Sequence, residues 1–154
     1  MSVVPFTRRL PSVTTRATAL PPQAAVAAIF RITGGAVRIL GIYGEVTTAI
    51  GAVANATKLI HNPAGVGSSV DLCGTLDINA DAVGQVYSIV GVLATALKST
   101  TLWLVAPADN IPSPGLVLLP GDIEVSCAGS SVTGAIKWTI HWEKLEANSN
   151  LVAV

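Results

Sequence analysis

The sequence predicts an all-β protein: an antiparallel β-sandwich or a jelly-roll-like barrel with an extended N-terminal arm. Apolar and polar residues alternate with a period of two from about residue 23 onward, as they do in strands that bury one face. The apolar stretches are short, and loops rich in Gly, Pro and Asn separate them, which is typical of antiparallel sandwiches and barrels. At 154 residues, the chain has the length of one domain.

The first 22 residues differ from the rest, and we predict an arm over residues 1–22 and a single β domain over residues 23–154. Prolines stand at positions 5, 11, 21 and 22. Because proline fixes φ and removes a backbone donor, we expect this segment to be extended and to lie outside any central strand. Two interpretations stay open, a solvated terminus and a docking arm. Apolar residues such as Phe6 and Leu10 favour the docking arm, because a solvated tail does not need them.

The first strands of the body follow from the same alternation. Gly34 and Gly35 mark a turn between the first two strands, and Asn62-Pro63 ends the third. The strands predicted before residue 120 span residues 28–33, 37–46, 57–61, 70–78, 85–93 and 102–105. Residues 90–98 are equally compatible with a short helix.

A hairpin is predicted over residues 122–143. Residues 122–127 alternate, residues 136–143 alternate again, and a Gly- and Ser-rich stretch at 129–134 lies between them. On the second strand one face carries Ile136, Trp138, Ile140 and Trp142. These four side chains are predicted to build the core or a subunit interface, and the alternative is an exposed tryptophan ledge for stacking sugars.

Cys73 and Cys127 are predicted to be free thiols, at least one of them buried, because nothing in the sequence directs the chain to an oxidising compartment. In a continuous strand over residues 70–78, Cys73 would share its face with Asp71 and Asp77. Cys127 would share its face with the apolar residues of its own strand.

Composition excludes several functional classes. Nine basic residues balance nine acidic ones, which disfavours a nucleic-acid partner. The longest charge-free apolar stretch, residues 82–97, contains sixteen residues, whereas a spanning helix needs about 20. We therefore expect no membrane partner, and prolines interrupt any secretory signal at the N-terminus.

Enzymatic motifs are absent from the sequence. Neither His61 nor His141 has a nucleophile or a carboxylate at a motif spacing, and no phosphate-binding or zinc-binding pattern occurs. The prediction is a protein that is not an enzyme and has no cofactor.

One weak candidate for a metal site is the triplet Asp77, Asn79 and Asp81, which has the spacing that begins a calcium-binding loop. Ala82 and Ser88 stand where that loop needs its glycine and its bidentate glutamate. The triplet is therefore predicted to form a polar turn that binds no metal.

Charge is scarce and unevenly distributed along the chain. Only 12% of residues are charged and 51% are hydrophobic, about half the usual charge content. Residues 1–44 contain five arginines and no acid, and residues 45–154 contain four lysines and all nine acids. This pattern predicts a homo-oligomer or another assembly that covers apolar surface, with the basic end against acidic partners.

Residues 30–48, 70–84, 119–127 and 134–138, which include Gly-Ile-Tyr-Gly-Glu and Val-Asp-Leu-Cys-Gly, resemble small structural proteins of tailed bacteriophages. The resemblance extends over about residues 28–143 and is closest to capsid decoration (cement) proteins. It implies a β-sandwich or jelly-roll homotrimer on the capsid surface, bound to the major capsid protein through an arm. The protein would be made in the host cytoplasm and located in the virion.

Within that resemblance, the residues expected to contact the capsid are Phe6, Arg8, Arg9, Leu10 and Arg16. Two alternatives remain open. One is another phage structural subunit, a head-fibre base or a tail protein, and the other is a carbohydrate-binding β-sandwich module.

Overall fold

The chain folds into two antiparallel sheets that pack face to face. The computed structural model describes residues 10–17, 25–100, 115–129 and 133–154. Sheet I contains β1 (Ser12–Thr15), β3 (Val37–Thr48), β7 (Val86–Ser88), β8 (Lys98–Thr100), β9 (Leu116–Leu118) and β11 (Ala135–Lys144). Sheet II contains β2 (Ala25–Thr33), β4 (Ala56–Pro63), β5 (Val70–Asp71), β6 (Leu76–Asp77), β10 (Gly121–Cys127) and β12 (Asn150–Ala153).

Strands that follow one another in the chain mostly lie in opposite sheets. The order in sheet I is β1-β11-β3-β7-β8, with β9 also paired to β3. The order in sheet II is β12-β2-β10-β4-β5, with β6 also paired to β4. The chain therefore crosses between the sheets along β2, β3 and β4 and again along β10, β11 and β12. This architecture confirms the predicted antiparallel β-sandwich.

The core lies between the two sheets and follows the alternation in the sequence. Along β10, Ile123, Val125 and Cys127 are buried while the residues between them are partly exposed. Large apolar side chains from both sheets meet in one cluster, including Phe30 of β2 and Tyr87 of β7. Burial of these inner faces is the main favourable contribution to folding.

The predicted hairpin over residues 122–143 is wrong. β10 pairs with β2 and β4 in sheet II, and β11 pairs with β1 and β3 in sheet I. Each strand has one apolar face, and the two faces are buried against each other across the core. Alternation shows which face of a strand is buried, but it does not show which strand is its neighbour.

Other predicted strands are shorter or longer than expected. Residues 70–78 form β5 and β6, which pair with opposite ends of β4, and between them Gly74 bridges to Ala96. Only Val86–Ser88 of the strand predicted over residues 85–93 is a strand, and residues 90–98 form turns that lead into β8 instead of a helix. The strand predicted over residues 102–105 lies outside the described residues.

The close approach of β11 to β3 depends on Gly44. A methyl group on Gly44 would lie 2.8 Å from Cζ3 of Trp138 and 2.9 Å from Cγ2 of Ile136. Carbon atoms in favourable contact are about 3.5–4.0 Å apart, so only glycine lets the Trp138 ring lie against this point of β3. Gly41, three residues earlier on the same strand, has open space in the corresponding direction.

Gly44→Ala is expected to lower the free energy of unfolding by about 1–3 kcal/mol, because it overpacks the core beneath Trp138. Gly41→Ala makes the same chemical change on the same strand without a clash, so it is the matched control. Urea unfolding followed by tryptophan fluorescence measures both variants. Equal stability of the two variants would contradict the assigned packing of Trp138 on Gly44.

Candidate functional site: the N-terminal edge of the sandwich

The candidate site is the edge of the sandwich where β1 meets β11 and β12, which we call the N-terminal edge. β1 pairs with β11 from Ser12 opposite Trp142 to Thr15 opposite Thr139. Part of the predicted arm is therefore extended, as expected, and forms the edge strand of sheet I. Its composition, Ser-Val-Thr-Thr after Pro11, is typical of an edge strand.

Thr14 connects the edges of the two sheets. The indole Nε1–H of Trp142 donates to Thr14 Oγ1 at 3.0 Å, and the Thr14 hydroxyl donates to the Leu151 carbonyl of β12 at 3.4 Å. Trp142 is buried, so its indole N–H needs this acceptor. One hydroxyl thus links sheet I, sheet II and the beginning of the chain.

Arg16 follows β1 and is bound within its own chain. Its backbone N–H donates to the Trp138 carbonyl at 2.9 Å, and its Nε–H donates to the main-chain oxygen of Val154 at 2.6 Å. This residue was predicted to contact the capsid, and the structure places it against the C-terminal strand. Thr15 adds a hydroxyl–hydroxyl bond to Thr139 at 3.1 Å.

Leu10 stands at the outer end of β1 with 84% of its side chain exposed. It lies over a cleft of about 350 Å³ that Ser12, Lys144 and Ala147 also line. Val13 on β1, Val152 on β12 and Val154 after it are also exposed. The N-terminal edge therefore presents exposed apolar side chains near residue 10, where the described part of the chain begins. Phe6, Arg8 and Arg9 lie outside the described residues.

The four large side chains predicted for the core or an interface all face the core of this chain. Ile136, Trp138, Ile140 and Trp142 are at most 4% exposed. Trp138 and Trp142 therefore cannot form an exposed aromatic surface on which sugars stack. Trp103 lies outside the described residues.

The triplet Asp77, Asn79 and Asp81, which begins at the last residue of β6, forms hydrogen bonds within the chain. Asp77 Oδ1 accepts from the backbone N–H groups of Asn55 and Asn79, and Asp81 Oδ2 accepts from the Tyr87 hydroxyl at 2.6 Å. In the part of the chain that the structure describes, no three His, Cys, Asp or Glu side chains group as metal ligands would. These bonds match the polar turn expected from the sequence.

The two histidines lie in separate environments. His61 is buried on β4 with Nε2 3.1 Å from the Leu119 carbonyl, and burial lowers its pKa more than this bond, Asp122 and Glu124 raise it. His141 packs against Tyr43 in sheet I, with ring centroids 6.0 Å apart. Among the described residues, neither ring is hydrogen-bonded to a hydroxyl, thiol or carboxylate that it could activate.

Cys73 and Cys127 are both free and buried. The Leu59 backbone N–H donates to Cys73 Sγ, the Thr57 hydroxyl donates to Cys127 Sγ, and burial raises the pKa of both thiols. The shared face expected for Cys73 and Asp71 is wrong, because the chain turns between β5 and β6. Protonated, buried thiols of this kind are inert.

Comparison of the chain with protein-family models, with curated proteins and with solved structures finds no match. The part of the chain that the structure describes contains no helix with the length and apolar character to cross a bilayer.

Thr14→Val is expected to destabilise the fold by about 1–3 kcal/mol, because the buried indole N–H of Trp142 loses its acceptor. Thr48→Val, at an exposed position at the end of β3, is the matched control and should leave stability within about 0.5 kcal/mol. Urea unfolding measures both variants. If the two variants are equally stable, the hydrogen bonds of Thr14 to Trp142 and Leu151 do not stabilise the N-terminal edge.

Stability is expected to fall as the pH drops through the ordinary His pKa of 6.5. The folded chain binds a proton at His61 less readily than the unfolded chain, so protonation favours unfolding in this range. Thermal unfolding at a series of pH values measures the slope, which His61→Gln should flatten. The pKa of Asp122 is lowered, so protonation of Asp122 affects stability only below its ordinary pKa of 3.8, outside the pH range of the His61 effect. An unchanged slope in His61→Gln would show that another group titrates.

Proposed function

We propose that this chain is a non-enzymatic virion structural protein of a tailed bacteriophage, which binds the outer capsid surface as a decoration (cement) protein and stabilises the shell. The observation that carries the proposal is the anchored strand β1. Thr14 and Arg16 hold the beginning of the chain to both sheets, so the residues before Leu10 depart from a fixed point on the body. The resemblance of residues 28–143 to small phage structural proteins supports the same assignment.

The nine residues that precede Leu10 have the length and chemistry of a tether. A fully extended chain spans about 3.3–3.6 Å per residue, so nine residues can reach ~30 Å from the N-terminal edge. They include Phe6 as an apolar contact and Arg8 and Arg9 as cationic ones. Pro5 restricts the backbone, which lowers the entropy lost on docking.

The body supplies the second part of the contact. Leu10, Val13 and Val154 expose apolar surface on the body, and the whole chain has few charges that would oppose burial. We propose that these side chains contact neighbouring copies in a homotrimer and the major capsid protein beneath it. Many weakly bound copies would then hold adjacent capsid subunits together by avidity against the pressure of packaged DNA.

Another virion location, at a head-fibre base or in the tail, is the nearest competing function, and the same test distinguishes it. A module that stacks sugars on Trp138 and Trp142 is not favoured, because both rings lie in the core.

Deletion of residues 1–9 is expected to abolish saturable binding to capsids of the encoding phage that lack this protein. β1 and its bonds remain in this variant, so its melting temperature should match that of the full chain. Arg8→Ala with Arg9→Ala is expected to weaken binding about ten-fold, at ~0.7 kcal/mol for each lost ion pair, and to reduce its salt dependence. Co-sedimentation with capsids measures all variants.

The control for the arginine pair is Lys98→Ala with Lys137→Ala, which removes two positive charges from the body and should leave capsid binding unchanged. Light scattering of the free protein should give three times the 15.7 kDa chain mass. Unchanged capsid affinity after deletion of residues 1–9 would refute the tether. Absence of the full chain from capsids, with its presence in isolated tails or fibres, would refute the decoration role.

A further inference from the structure

A second surface lies on the outer face of sheet II. It is a cleft of about 210 Å³ at the end of the sheet where β10 begins. Residues 31–33 of β2 form one wall, Asn62 and Pro63 of β4 with the following Ala64 form the other, and Gly121 and Asp122 form the floor. Glycine is required at position 121 because a Cβ there would overlap the Asn62 carbonyl oxygen on β4.

The wall on β2 presents a guanidinium that is held in place. Arg31 donates to both carboxylate oxygens of Asp122, from Nε at 2.7 Å and from Nη2 at 2.9 Å. This bidentate bond fixes the plane of the guanidinium and involves neither N–H of Nη1. The Arg31 side chain is 52% exposed and lines the cleft.

The wall on β4 presents an acceptor. Asn62 donates from Nδ2 to Glu124 at 3.2 Å, which orients the amide and leaves its Oδ1 as an acceptor. Thr33, exposed on the opposite wall, adds a hydroxyl that both donates and accepts. The cleft therefore carries donors and acceptors, and bonds within the sheet set the orientation of two of these side chains, Arg31 and Asn62.

The charges around the cleft exclude simple ionic ligands. Asp122 neutralises Arg31, and Glu124 adds a further negative charge beside Asn62, so an inorganic anion gains little there. The described residues group no three metal-ligating side chains at this point or elsewhere. A neutral ligand with several hydroxyl groups fits both the mixed donors and acceptors and the small volume, which is below the ~300 Å³ of a site for a drug-sized ligand.

We propose that this cleft binds one residue of a neutral carbohydrate, with sugar hydroxyls bound by Arg31 Nη1, Asn62 Oδ1 and the Thr33 hydroxyl. This inference is independent of capsid binding, because it uses the outer face of sheet II and no residue of the N-terminal edge. Recognition rests on polar side chains, of which Arg31 and Asn62 are held by bonds within the sheet, and no exposed tryptophan is needed.

The test is saturation-transfer NMR of the full chain with the methyl glycosides of glucose, galactose, mannose and N-acetylglucosamine, followed by titration of the strongest binder. Asn62→Ala is expected to weaken that glycoside at least about five-fold, because it removes one hydrogen bond at the cleft. Asn79→Ala removes the same side chain from an exposed turn after β6 and should leave the affinity unchanged. Thermal unfolding confirms that both variants are folded.

The inference is overturned if none of the four glycosides binds. It is equally overturned if Asn62→Ala and Asn79→Ala bind the glycoside with the same affinity, because the sugar then binds elsewhere. It is also overturned if sodium phosphate displaces the glycoside at the concentration at which the glycoside itself occupies the cleft. Each of these results leaves the capsid proposal untouched, since that proposal is tested by deletion of residues 1–9.

Discussion

The sandwich depends on the contact between the Trp138 ring and Gly44. The ring is 1% exposed and its Nε1–H has no hydrogen-bond partner among the described residues, so its contribution to the fold comes from its apolar area and not from its polar atom. Gly44 lets this ring lie against β3. The contact sets how closely β11 and β3 approach, and the other apolar residues of β11 extend the same packing along the core.

A second constraint operates at the edge, where polar bonds replace apolar packing. Trp142 is buried like Trp138, but its indole N–H reaches Thr14 and through it the carbonyl of Leu151. The beginning of the chain is therefore connected to both sheets at one place. In the proposed capsid contact, the length of chain available for docking is therefore limited to the residues before β1.

The candidate site was only partly accessible to sequence analysis. Arg16 stood out by its charge, but its bond to Val154 joins residues that are 138 positions apart, and no local pattern encodes such a pair. Thr14 was missed although the β-branched residues around it indicate a strand. The role of its hydroxyl is to accept a hydrogen bond from a tryptophan in another strand, and the local sequence does not show this. The cleft above Gly121 was missed for the same reason: Arg31, Asn62 and Asp122 belong to three strands that only sheet II brings together.

The amino-acid sequence by itself determined that the chain is all-β, that residues 136–142 bury alternate side chains, and that no local motif supports catalysis or a metal ion. Each of these properties depends on residues within a few positions of one another. The tertiary structure alone decided that β10 and β11 belong to different sheets and that residues 70–78 break into two short strands. Alternation sets the face that a strand buries, whereas its neighbour is chosen by packing and hydrogen bonding between distant segments, which a period of two does not record.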